Sequence, residues 1–459
     1  MRFTRRLLDR PALSVLLPVH ALAMSMLVAG CSESAHPSRE VSDAGDGDRA
    51  VTPPPEDGGA PEVDASQQQP LGPPPKPLEV KCEKEPCALR LTTTLAGLNG
   101  ERDEGYCVLL SDKTVACWGA NNGGQLATGP DDREDRTVPV RIAGLSDVTH
   151  LHHTCAVDAA GTIRCWGTGA FAQSPTSAWS VETTPVAIPL DAPAEKVALS
   201  PATLACALLR SGEVYCWGAN NYGVLGSDAP HIAPPTKIQG LPSGIRDIEL
   251  GTAAFALLDD GRLVSWGSAP GIGRPTSFGS DPTPGPVALE GVSAIDVAHV
   301  ETCVVAEGTG WCWGAAIPQG SALGAEFIAD ANARALPLAV DTPTRIARIA
   351  TTRTHSRRQG SAIIVEQRRF CATDGEGDVY CWGLNNVGQA GTGDREYVTE
   401  TARVQGLAGP AADVKVLPYS TCALLTNGKV QCWGSNLEGQ LGAGLPRGLS
   451  VVPVEVKLP

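Results

Sequence analysis

Short apolar runs alternate with polar, glycine-bearing turns along most of this chain, and the alternation recurs at long range. CALLRSGEVYCWG (206–218) shows the unit: an apolar run, a turn holding Gly212, and a second run ending on Trp-Gly. Two runs of that length around a turn predict a β-hairpin. In CALLTNGKVQCWG (422–434) the turn is Asn427-Gly428, a pair favoured where both residues need positive φ. The Trp-Gly pairs fall at Trp118, Trp166, Trp217, Trp266, Trp313, Trp382 and Trp433, at intervals of 48, 51, 49, 47, 69 and 51 residues. Segments such as PVRIAGLSDVTHL (139–151) and PTKIQGLPSGIRDIEL (235–250) lie upstream of the hairpins and read as two further strands. Four strands in each repeat form one antiparallel sheet, and seven sheets predict an all-β, seven-bladed β-propeller.

The end of the chain bears on closure. PVEVKLP (453–459) matches the repeat opening PVRIAGL (139–145), and the first repeat lacks a clear segment of this kind. The C-terminal strand is therefore expected to complete the first blade and close the ring, leaving no sheet edge open there. On this reading the Trp-Gly hairpin is the outer pair of its blade. The use of 51 Gly, 37 Pro and 3 Met suits short strands and turns rather than helices.

Trp118, Gly119, Asn121, Gly124, Gln125 and Leu126 recur as Trp382, Gly383, Asn385, Gly388, Gln389 and Gly391. They return as Trp433, Gly434, Asn436, Gly439, Gln440, Leu441 and Gly442. Over residues 82–459 this pattern resembles the regulator of chromosome condensation repeat family. The resemblance implies a seven-bladed propeller and is much less specific for function, because one fold hosts many activities. Residues that recur in every blade read as scaffold. So do the histidines of HLHHTC (150–155), where His153 occupies a position the family often fills with His.

The cysteines read as cross-links. Cys107/Cys117, Cys155/Cys165, Cys206/Cys216, Cys303/Cys312, Cys371/Cys381 and Cys422/Cys432 each flank one hairpin turn. Folding the hairpin sets the partners opposite one another, at a Cα separation of roughly 4.5–5.5 Å, which a disulfide accepts. Cys303/Cys312 is one residue closer and predicts a shorter turn or a bulge. The fourth copy, FALLDDGRLVSWG (255–267), replaces both cysteines at once, with Phe255 and Ser265, as paired staples require. Cys82 and Cys87 are expected to pair at the start of the fold. Zinc sites need clusters of closely spaced ligands, so no metal and no cofactor is expected.

Residues 1–30 read as a signal peptide: Arg2, Arg5, Arg6 and Arg10, then the apolar run ALSVLLPVHALAMSMLVAG (12–30). LVAGC (27–31) resembles the bacterial lipobox, which implies lipid attachment at Cys31. Of the 15 cysteines, 14 remain for pairing, as an oxidising compartment favours. Residues 31–81 form a disordered tether; the 50 residues after Cys31 hold ten prolines and ten acidic residues against four basic ones. The domain at 82–459 is thus expected in the cell envelope, outer membrane or cell surface, as a lipid-anchored monomer. A net charge of -14 argues against nucleic acid as a partner.

The sequence holds no GxSxG, HExxH or GxxxxGK motif, so a non-enzymatic scaffold that binds a protein or polysaccharide is expected. The family resemblance implies two precedents. One is a secreted bacterial inhibitor that binds β-lactamases through a loop-rich face; the other is guanine-nucleotide exchange on a small GTPase, which export disfavours. An unrecognised propeller hydrolase is the remaining alternative. The longest interval carries TTRTHSRRQGSAIIVEQRR (351–369), with Arg353, Arg357, Arg358, Arg368 and Arg369 against Glu366 alone. This insertion is a candidate surface for an acidic protein or a polysaccharide. Phe171 and Trp179, outside the repeating pattern, are candidate anchors or inter-blade packing.

Overall fold

The computed structural model describes residues 72–94, 103–171, 177, 179–201, 203–276, 279–314, 335–352, 355–359, 362–366 and 369–459. These residues form seven four-stranded antiparallel sheets and one separate two-stranded hairpin. The innermost strands are Ala88–Thr93, Val148–His152, Ala194–Leu199, Ile245–Leu250, Val292–Ala298, Ile346–Thr351 and Ala411–Val416, one for each of blades 1 to 7. Together they surround a central channel.

Blade 3 shows why each run takes its place. The Leu204–Leu209 strand (LACALL) is buried along its whole length, since neighbouring blades cover both faces. A strand in that setting reads as a continuous apolar run rather than an alternation. The fourth strand, Ile232–Lys237, contains Pro234 and Pro235 and is mostly solvated. Proline cannot donate to a ladder, so it is confined to the edge, where it also blocks pairing with another chain.

The Trp-Gly pairs join the blades. Trp166 Nε1 donates to Gln125 O at 2.8 Å, Trp217 to Ala170 O at 2.7 Å, Trp266 to Val224 O at 2.9 Å and Trp313 to Gly271 O at 2.6 Å. Each bond reaches back to the preceding blade. Trp118 makes the same bond to Gln440 O of blade 7, at 2.9 Å, and so closes the ring. The glycine after each Trp is obligatory. Gly218 has φ +108°, and a Cβ there would lie 2.2 Å from Thr203 O.

Two expectations about strand placement need correction. The hairpin of strands Leu204–Leu209 and Val214–Ala219 is the middle pair of its blade, not the outer pair. The repeat opening is therefore the outer strand of the preceding blade. For the same reason the C-terminal strand Leu449–Glu455 pairs with Val430–Ser435 and completes blade 7, while blade 1 already has four strands of its own. The C-terminus still contributes to closure, because Val456 and Leu458 pack with Ala88, Tyr106 and Trp118 of blade 1.

All seven pairs of cysteines are disulfide-bonded, Cys82–Cys87 included. Cys107 stands directly opposite Cys117 in blade 1, Cys155 opposite Cys165 in blade 2 and Cys206 opposite Cys216 in blade 3. Cys303 faces Cys312 in blade 5, Cys371 faces Cys381 in blade 6 and Cys422 faces Cys432 in blade 7. The pairing is as expected but the spacing is not. The six Cα separations are 4.0–4.1 Å, shorter than the range expected for opposed strand residues, because the cross-link draws the two strands together. Cys303–Cys312 has the shorter turn, Glu307-Gly308, with both residues at positive φ. In blade 4, Phe255 stands opposite Ser265. Phe255 packs edge-on against Trp313, and Ser265 Oγ donates to Ile272 O at 2.6 Å.

Candidate binding face and central channel

Strand direction alternates within a blade, so the connections sort onto two faces. Links from second to third strand span two to four residues, and links between blades span five to seven. On the other face, links from first to second strand range from two to 17 residues, and links from third to fourth from ten to 24. The large length variation of the ring lies on that one variable face. The His355–Gln359/Ala362–Glu366 hairpin rises there, between the first two strands of the blade 6 sheet, together with the long Trp313-to-Leu338 connection.

The opposite face carries a strap. Arg345 donates to Gly72 O and Pro73 O, Pro75 packs on Gly308 and Gly375, Leu78 on Gly377, and Lys81 N donates to Thr426 O. Residues 72–81, assigned to the tether by composition, are thus part of the folded body. Proline-rich chain needs no ladder to hold an extended course, and the uniform turns of blades 5 to 7 give it a track.

The channel is a cavity of about 990 Å³, lined by the inner strands of all seven blades and by strap residues 76–80. One register layer is built from the residues opposite the hairpin positions: Thr92, His152, Ala198, Glu249, Asp296, Ala350 and Lys415. His152 Nε2 reaches past the small Ala198 of blade 3 to Glu249 of blade 4, at 3.0 Å. Leu199 N donates to its Nδ1 at 3.1 Å, which leaves the proton on Nε2. Lys415 likewise passes Ala350 of blade 6 to reach Asp296 of blade 5, at 3.1 Å. Each pair skips one blade, and each skipped blade presents alanine. Burial alone would raise the Glu249 carboxyl, but the adjacent His152 and the Lys415 charge hold it at about 2. His153 is pushed down to about 3, chiefly by burial and next by His152; its ring Nδ1 donates to Thr93 O at 2.9 Å. It is a fixed neutral imidazole at the channel mouth.

The residues singled out by sequence separate here. Phe171 is buried beside Leu199 and Trp217 and packs between blades, whereas Trp179 is half exposed. Arg369 is wholly buried and does not belong to a surface patch. Its guanidinium donates to Thr421 Oγ1 at 2.6 Å, Ser420 O at 2.9 Å and Leu417 O at 2.5 Å, tying blade 6 to blade 7. Arg353 and Arg368 lie outside the described residues; Arg357 and Arg358 lie on the hairpin strand His355–Gln359, with side chains outside the description. Cys31, the signal peptide and most of the tether also lie outside the described residues. The third-strand cysteines Cys117, Cys165, Cys216, Cys312, Cys381 and Cys432 are all buried within the blades, and neither they nor their partners line the channel. They hold the scaffold and take no part in a site. Asn121, Asn220, Asn385 and Asn436 each accept a backbone N–H five residues on, through Oδ1, and so shape the third-to-fourth loops.

Models of the regulator of chromosome condensation (RCC1) repeat match residues 114–159, 211–255 and 418–440. The chain carries RCC1 repeats over those residues, and its fold is a seven-bladed β-propeller. It is 26% identical to the ultraviolet-B receptor UVR8 of Arabidopsis thaliana over 361 residues, which cover 73% of this chain and 76% of that protein. It is 29% identical over 275 residues to the human E3 ubiquitin-protein ligase HERC2, covering 54% of this chain but only 5% of that protein. Among solved structures it superposes on Prp20p of Saccharomyces cerevisiae with a TM-score of 0.58 at 20% identity, over 75% of this chain and 85% of that one. Human WBSCR16 superposes with the same TM-score at 17% identity, over 75% and 94%. These likenesses are of fold.

The ring closes on a polar seam that the sequence pattern does not announce. Ser420 Oγ donates to Glu104 at 2.6 Å, Tyr419 N donates to the same carboxylate at 2.6 Å, and Glu104 N donates to Glu438 at 2.9 Å. Burial raises Glu104 to about 6 and Glu438 to about 7. A carboxyl raised on folding favours the native state when protonated. The contribution is full below the ordinary value near 4.5 and is lost as pH rises through 6 to 7. Glu438→Gln keeps an acceptor for Glu104 N and removes the charge. Its melting temperature should exceed the wild type's by about 1–3 °C at pH 8, with the gap closing at pH 4.5. Calorimetric melts at the two pH values check this; an equal gap at both assigns the effect to something other than titration.

Proposed function

We propose that this RCC1 propeller is a non-enzymatic scaffold that binds a protein partner through its variable face, held in the cell envelope by lipid at Cys31. The observation that carries the reading is that the long and widely varying connections all lie on one face, while those of the other face stay within seven residues. Selection on a folding core has no reason to sort insertions by face, whereas a recognition surface does. The hairpin stands on this face, and its sequence, with Arg357 and Arg358 against Glu366, favours an acidic partner. Half-exposed Trp179 lies on the same side, just before the outer strand of blade 2. Prp20p, whose structure was described with its binding to Gsp1p and histones, lends a family precedent for protein recognition.

The seven disulfides fit an oxidising compartment. Photo-crosslinking residues placed one at a time on the two faces of the full chain in intact cells test the proposal. Covalent protein adducts are expected from the variable face only.

A further inference from the structure

The strap-covered end of the channel holds cations that the fold leaves without counter-ions. In the register layer next to that end, blades 1, 3 and 6 carry Arg90, Lys196 and Arg348, opposite Leu109, Leu208 and Thr373. All three line the cavity. Lys196 is used within the fold: its Nζ lies 3.0 Å from Asp247 and donates to Arg246 O at 2.6 Å. Arg90 and Arg348 have no ion pair or hydrogen bond among the described residues, and Arg348 Nε is buried without an acceptor. Asp413 of blade 7 stands in the same layer between them. It forms no ion pair with either, and its Oδ1 accepts Val414 N at 2.9 Å.

The contrast with Arg369 is informative. Where this fold uses a buried arginine structurally, it supplies two carbonyls and a hydroxyl to the terminal nitrogens, although Arg369 Nε, like Arg348 Nε, has no acceptor. Two half-buried guanidinium groups that line the open channel without protein partners are left free to donate to a ligand. The local field agrees. His150, in the same layer, is held well below its ordinary value by burial and then by Arg90, His152 and Lys196.

We propose that the strap-covered end of the channel binds a small multivalent oxyanion, with Arg90 and Arg348 as its donors. Guanidinium forks on blades 1 and 6, on either side of blade 7, suit a ligand presenting acceptor oxygens on two sides, as phosphate or sulfate does, better than a monovalent carboxylate. The strap closes the site from below, and the ligand enters from the variable face. The site is independent of partner docking, because it uses other residues and needs no macromolecule.

The test uses the full chain, inorganic phosphate and acetate, and sodium chloride to hold ionic strength constant. Phosphate should raise the melting temperature saturably and give a single-site heat by calorimetry, with acetate at least about tenfold weaker. Arg90→Gln and Arg348→Gln should each weaken phosphate by about tenfold or more, while Arg447→Gln, at an exposed pair with Asp135, leaves it unchanged. If Arg348→Gln fails to fold, Arg348→Lys keeps the charge without the planar fork and should still weaken phosphate. Absence of saturable binding, or binding undiminished in the arginine variants, overturns the proposal.

Discussion

Reduced under otherwise native conditions, the propeller is expected to lose at least about 20 °C of melting temperature. Six of the seven disulfides join directly opposed residues of the middle hairpin in their blades, at sequence separations of nine or ten. In the chain-entropy model each contributes about 2.5–3 kcal/mol, and about half that if strain intervenes. Removing a single pair, Cys206→Ala with Cys216→Ala, should therefore lower the melting temperature by only about 2–6 °C. Single-cysteine variants should be worse behaved than the pair, since they leave a free thiol in an oxidising setting. Scanning calorimetry with and without reductant checks all three. A reduced protein that melts like the oxidised one would mean the blades hold by packing alone. Blade 4 shows that packing can serve locally, since Phe255 and Ser265 keep the same register without a bond.

The second large effect is expected at the ring seam. Trp118 is fully buried, donates to Gln440 O across the first and last blades, and packs on Gly442, where a Cβ would fall 2.7 Å from Nε1. Trp118→Ala removes the packing, the bond and the closing contact together, at about 3–5 kcal/mol or a fall of about 5–10 °C. Trp382 is the internal comparison. It is only partly buried and stacks on Phe370 at 5.3 Å, so Trp382→Ala should cost less than half as much. Thermal melts of the two variants, side by side, decide the matter; equal losses would show that the seam is no more critical than any other blade junction.

Much of this was legible in the chain. The Trp-Gly period and the paired loss of cysteines at Phe255 and Ser265 were enough to give seven blades and their staples, because both are local patterns repeated in phase. The phase between sequence repeat and blade was not legible. PVEVKLP looks like the start of a repeat, but the outer strand of one blade and the inner strand of the next are adjacent in sequence and separate in space. Single residues were harder. Arg369 sits in an arginine-rich insertion yet turns inward, and only the carbonyls of Leu417 and Ser420 explain it. The blade-skipping pairs His152–Glu249 and Lys415–Asp296 depend on Ala198 and Ala350, which no short-range pattern connects to them. The strap is not legible in the sequence because proline-rich composition describes a chain without a core of its own, not one laid across the turns of other blades.

The central claim is that recognition belongs to one face of a stapled ring. Photo-crosslinkers at Trp179 and at hairpin position Ile364 sample the variable face, and those at Asp260 and Lys429, in the uniform turns, sample the strap face. In intact cells the first two positions should yield a common protein adduct and the last two none. Replacing residues 353–368 with a short glycine-serine turn should weaken the adduct at Trp179 by about tenfold while leaving the melt unchanged. Equal labelling from both faces, or no adduct from either, would contradict the account.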